Sequence, residues 1–139
     1  MANLFHKEGR IWLQQVAWSE EQSVPANFYA GLADDVLLDA DGLAQVGAEL
    51  SGNGYARQPI ASNNTDCVHS TDGVYEVITF KQVVFTADGG AWAETTRWFL
   101  GTTINNTGKL LLSGDISPGR TLQDDDSLKL TVTFRIKQT

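Results

Sequence analysis

Cys67 and His69 stand two positions apart, a spacing that on a strand turns both side chains to one face, where a thiol and a base could meet. The preceding Asn63-Asn64-Thr65-Asp66 reads as loop, however, and no Gly-x-Ser-x-Gly elbow occurs in the chain. A serine beside either histidine, His6 or His69, is the other nucleophilic arrangement the sequence offers. A structural zinc site wants four ligands in recognisable pairs, and one cysteine with two separated histidines does not furnish them. Asp39-Ala40-Asp41-Gly42, with Asp34 and Asp35 nearby, suggests calcium, but the closing glutamate of a helix–loop–helix calcium site is missing from its place. An acidic, capped loop accounts for these residues better. Any two of the 17 acids can be paired on paper for glycoside cleavage, so choosing a pair carries no information. The expectation is a protein without catalysis, without cofactor and without metal.

What remains is large side chains of the kind that make interfaces and sugar sites: Tyr55, Arg57, Trp92, Arg97 and Trp98. On strands such residues more often form core and rim. Asp124-Asp125-Asp126 is expected to be a solvated loop that discourages edge pairing, or a contact for a basic partner.

The elements that must hold these residues read as β structure. Ser127 to Lys137 alternates Leu128, Leu130, Val132, Phe134 and Ile136 with polar residues, the pattern of a half-buried strand running eleven residues without a break. Val74 to Thr86 is a second long β run whose alternation slips near Gln82, which implies a bulge or bend. Asn27–Leu32, Tyr55–Ile60, Glu94–Thr103 and Lys109–Asp115 complete the main strands. Pro59 places its strand on an edge or ends it there, because proline donates no ladder hydrogen bond. Gly42 to Glu49 reads as a short helix capped by Asp41, Ala61 to Gly73 as loop, Ser117-Pro118-Gly119 as a turn, and Thr121-Leu122 as a short strand. About six to eight strands separated by turn signals point to an all-β, antiparallel β-sandwich, jelly-roll-like.

Residues 1–24 form a separate expectation: a short helix or arm and its polar connector, ahead of a β-sandwich domain at 25–139. Gly9 interrupts the helical face of Leu4, Phe5, Ile11, Trp12 and Val16 at a cost of about 1 kcal/mol relative to alanine. Two readings stay open: a helix closing one end of the sandwich, or an arm that packs on a neighbour. The chain of 139 residues has the 42% hydrophobic and 19% charged composition of a folded domain large enough for its own core. A net charge of −7 argues against a nucleic-acid partner, which calls for a basic face. With one cysteine there is no intrachain disulfide to expect. The first ten residues lack a signal peptide's apolar core, and no apolar run reaches the ~18 residues of a membrane span, so a soluble, unexported chain without membrane contact is expected.

Five segments, in order, resemble a known family: Pro25–Leu32 (PANFYAGL), Glu49–Pro59 (ELSGNGYARQP), Phe85–Trp92 (FTADGGAW), Thr95–Leu100 (TTRWFL) and Gly108–Ile116 (GKLLLSGDI). Together they are similar to small tailed-bacteriophage virion proteins, often labelled tail fibre or structural protein, in which a Gly-Tyr-Ala-Arg-Gln segment recurs. The tryptophan-bearing N-terminus and the basic end of the last strand depart from that pattern. The resemblance implies a structural role. In size and β character the chain is also similar to capsid cement proteins, which clamp neighbouring shell subunits from outside. It therefore implies a decoration protein on the outer capsid surface, made in the host cytoplasm, with the major capsid protein as partner and a homo-oligomeric (dimeric or trimeric) state. The alternative it implies is a tail fibre or baseplate component, or a receptor- or glycan-binding module. Trp12, Trp18, Tyr55 and Arg57 are the expected assembly contacts, because two tryptophans lie in a segment too short to bury them alone.

Overall fold

Ten strands and one short helix carry residues 3–137, the part of the chain that the computed structural model describes. In order they are β1 (Leu4–Phe5), α1 (Lys7–Gln14) with a wider π-type turn over Gln15–Ser19, β2 (Asn27–Ala33), β3 (Gln58–Ala61), β4 (Cys67–Asp72), β5 (Tyr75–Phe80), β6 (Val83–Thr86), β7 (Thr95–Gly101), β8 (Leu110–Arg120), β9 (Ser127–Leu130) and β10 (Thr133–Lys137). They pair in a five-stranded sheet of order β1-β8-β7-β2-β3, a three-stranded sheet β10-β5-β4, and a two-stranded ladder β6-β9. Every pairing is antiparallel. The architecture is an all-β sandwich with a short N-terminal helix.

The two long β runs face each other. Thr133 pairs with Thr79 at one end of the run and Leu130 with Val83 at the other. Three residues (80–82) thus oppose two (131–132), a bulge of one extra residue at the place where the alternation slips near Gln82. The Phe80 N–H donates to the Val132 carbonyl across the gap at 2.9 Å, so the ladder bends there without parting. The expected unbroken strand from Ser127 to Lys137 is therefore two, β9 and β10, because its partner run bulges. Leu128 and Val132 are buried, whereas Ile136 at the far end is exposed.

The five-stranded sheet is covered on both faces, which is why β7 and the end of β2 from Ala30 on are buried almost residue by residue. Ala30, Leu32, Leu100 and Leu112 face the other sheets and pack with Val83, Phe85, Leu128 and Val132. Ala33, Phe99 and Leu110 face the opposite way and are roofed by Leu37, Leu43 and Val46. Gly31 lies under the Phe99 ring: a Cβ there would come within 2.3 Å of Cζ, so only glycine lets the ring lie flat on the sheet.

Four sequence expectations change. Residues 67–72, expected as loop, form β4; one apolar residue among six gives little sign of a strand that is held by its ladder to β5. The helix over 42–49 shrinks to a single 3-10 turn at Leu43–Gln45. Asp41 is not its cap, since its carboxylate accepts from the Leu38 N–H (2.7 Å) instead. Strand β8 runs on through Ser117-Pro118-Gly119, with its register to β7 shifting between Arg97 and Thr95. Thr121-Leu122 forms no strand, although Leu122 is buried and its carbonyl accepts from the Trp92 N–H.

The N-terminal segment is built into the body. Leu4 and Phe5 add an edge strand to β8, and Glu8 accepts from the backbone N–H groups of Leu110 (2.6 Å) and Leu43 (3.0 Å). Gly9 has a packing reason: a Cβ would sit 2.8 Å from the Leu111 Cα and carbonyl oxygen, so the helix lies directly on β8. Gly9→Ala should therefore lower stability by about 1–3 kcal/mol through overpacking, the reverse of the gain that helix propensity alone gives. Urea denaturation of the two proteins decides the sign.

Candidate assembly surface

Within Gly54-Tyr55-Ala56-Arg57-Gln58 the Tyr55 and Arg57 side chains turn inward, between exposed Gly54 and Ala56. Arg57 is buried and forks onto Glu49, Nε to Oε2 at 2.9 Å and Nη2 to Oε1 at 2.7 Å. It also donates to the Asn105 carbonyl (2.8 Å), the Thr103 carbonyl (3.3 Å) and Asn106 Oδ1 (2.6 Å), while its guanidinium lies 5.0 Å from the centre of the Phe99 ring. One side chain thus ties the β7–β8 loop to the stretch before β3. The Tyr55 hydroxyl donates to Glu49 (2.7 Å) and accepts from the Leu32 N–H (3.0 Å), and its ring packs between Phe85 and Trp92. Burial above all, and then the bond to Glu49, hold its phenol proton far above the usual range.

A second buried polar cluster fixes the N-terminus. His6 Nε2 lies 2.7 Å from Ser113 Oγ, Arg97 donates to the same Oγ (3.3 Å), to the Asp35 carbonyl (3.2 Å) and to Asp115 (2.6 Å). The serine and histidine have nucleophile–base spacing, but both are wholly buried, so no substrate reaches them in this structure. Burial pushes the His6 pKa below its ordinary 6.5, against backbone hydrogen bonds at Asp39 and Leu38 that act the other way. A depressed folded-state value means that the unfolded chain binds the proton first, so stability is full above pH 6.5 and falls as the pH drops below it. The denaturation midpoint should fall between about pH 7.5 and 5.5, and fall less in His6→Gln. Equal slopes in the two proteins would remove His6 from this account.

The other sequence candidates separate. Cys67 packs toward the core, its thiol raised mainly by burial, while His69 is exposed and pairs with Glu76 at 2.7 Å. Asp39 is paired with Arg10 (2.7 and 2.9 Å), which holds its carboxyl below the ordinary range. Asp35 accepts from the N–H groups of Val36 and Gly47, and Asp34 from the Thr96 hydroxyl. The loop acids are thus turned to local donors. Asp88, Asp124 and Asp125 bring exposed carboxylate oxygens within 4.8 Å of one another where the loop before β9 meets the turn after β6. Trp92 and Trp98 are core residues.

Of the four expected contact residues, the structure leaves one open. Trp12 is 8% exposed, edge-on to Phe28 at 6.0 Å, while Trp18 is 85% exposed at the end of the helix. Near that helix the two layers part into an apolar groove of about 240 Å³, lined by Phe5, Trp12, Leu13, Phe28, Ile78 and Phe134 among others. Sequence reasoning missed the groove, because its walls come from α1, both layers and β10, which meet only in the fold. No helix among the described residues is long and apolar enough to cross a membrane. Among curated proteins nothing matches the chain. Residues 10–134, which span α1 from its middle and almost the whole sandwich, match the family described as Podophage GP4 fiber I protein gp80, and the chain belongs to that family of phage virion structural proteins.

Proposed function

We propose that this protein is a non-catalytic building block of the phage tail, a fibre or baseplate component. The single observation that carries this reading is the family match over residues 10–134, whose description names a fibre protein. It favours the tail alternative over the capsid cement reading, and with it a location on the tail over the outer capsid surface. The expected partner moves accordingly from the major capsid protein to neighbouring tail subunits. Two features support a passive structural role. The loop before β3 and the β7–β8 loop are tied to the body by Arg57 rather than left to move, and the His6–Ser113 pair, at catalytic spacing, is sealed in the interior. A stapled sandwich suits repeated assembly contacts, where many modest interfaces act together.

The test is location and stoichiometry in purified virions. Quantitative mass spectrometry should give a copy number that is a small multiple of the tail's symmetry, and antibody labelling should fall on the tail. A copy number tracking the major capsid protein would return the cement reading. Absence from the virion would end both.

A further inference from the structure

We propose that the Trp18 indole of one copy of this chain seats in the apolar groove of a second copy. The two features are complementary in chemistry and size. The groove holds about 240 Å³ and its walls are apolar side chains. An apolar cavity of roughly 150 Å³ takes benzene, and an indole is a benzene ring with a five-membered ring fused to it. Trp18, at 85% exposure, is the most exposed of the large hydrophobic side chains among the described residues.

Placement favours a second copy over the chain's own tryptophan. Leu13 lines the groove from α1, and Trp18 follows five positions later on the same helical segment. The turn that carries Trp18 is closed by the Glu21 N–H on the Gln15 carbonyl at 3.0 Å, and Glu20 beyond it is left-handed (φ 56°). Folding the indole back into its own groove would unwind that turn. Knob and hole on one helix allow each copy to fill the other's groove across a two-fold axis. Each indole removes roughly 200 Å² from water and its groove about half as much, roughly 600 Å² over the pair. That area is short of the ~1,200 Å² of a stable interface and belongs to a weak contact, so pairing is expected at the upper end of a concentration series. The pairing concerns copies of this chain alone, so it stands or falls separately from the location of the protein on the particle.

The experiment is sedimentation velocity of the full chain over a concentration series, with tryptophan emission followed in parallel. The wild type should associate, its emission shifting to the blue as Trp18 leaves water. Trp18→Ser should weaken association by at least about 30-fold, as the loss of a central anchor does, with an unchanged melting temperature. Ile78→Trp, which fills the groove from its wall, should do the same; if it fails to fold, Leu13→Asp at the rim supplies the second arm. A wild type that stays monomeric throughout, or a folded Trp18→Ser that associates as tightly as the wild type, overturns the proposal.

Discussion

Arg57→Ala should cost about 3–5 kcal/mol, a large share of the roughly 5–15 kcal/mol that holds a domain together. The loss is not one ion pair. Removing the guanidinium takes away the fork on Glu49, the donors to two loop carbonyls and to Asn106, and the contact over Phe99. Glu49 then keeps a carboxylate in a site where its side chain is only 23% exposed, with Tyr55 as its remaining hydrogen-bond donor. Partial solvent access to Glu49 sets the result toward the lower end of the range. Arg57→Lys should recover less than half, because an ammonium is a point charge that cannot reproduce the planar fork. Urea denaturation measures the cost. Hydrogen exchange supplies the local signature: faster exchange across 102–109, where the staple holds the β7–β8 loop. A variant within about 0.5 kcal/mol of wild type, as a surface residue would give, refutes the staple.

The second large effect separates the two N-terminal tryptophans. Trp12→Ala should destabilise by about 3–5 kcal/mol, as loss of a buried indole does. Trp12 packs edge-on to Phe28, which in turn meets Phe80 across the sandwich, so the substitution loosens a chain of rings joining α1 to both layers. The groove already beside Trp12 gives its neighbours room to relax, which again favours the lower figure. Trp18→Ala should leave stability within about 0.5 kcal/mol, because little of its side chain is covered. Thermal melts of both variants, taken at low concentration so that association does not contribute, decide the matter. Equal losses in the two would mean that Trp18 packs within its own chain.

Both results bear on function through the same division of labour. Tyr55 and Arg57 spend their polar groups on bonds within the chain, whereas Trp18 is exposed. Incorporation of Arg57 variants into particles should accordingly track their stability.

Much of this molecule was legible in the residues. Alternation located the two long runs, apolar stretches between turn signals located β2 and β7, and the slip near Gln82, read as a bulge or bend, lies where the second layer bulges. Pro59 marked either an edge strand or a strand end, and β3 is an edge strand. These features are local, since a strand's face and a proline's missing donor are fixed by neighbours in sequence. The ordered family segments likewise pointed to a phage virion protein before any fold was known.

Other properties belong to the tertiary structure alone. Strand β4 carries mostly polar residues and exists because β5 supplies its hydrogen-bond partners. Gly9 reads as a helix defect until Leu111 is found against it. Arg57 reads as an assembly contact and Arg97 as core, rim or interface until partners as distant in sequence as Asn105 and Asp115 close around them. The groove has no signature in any one segment, since its walls come from several elements. Sequence by itself determined the main strands and their apolar faces; which polar stretches join the sheets, and which apolar and charged groups are finally hidden from water, was decided by contacts between distant segments, and those exist only once the chain has closed.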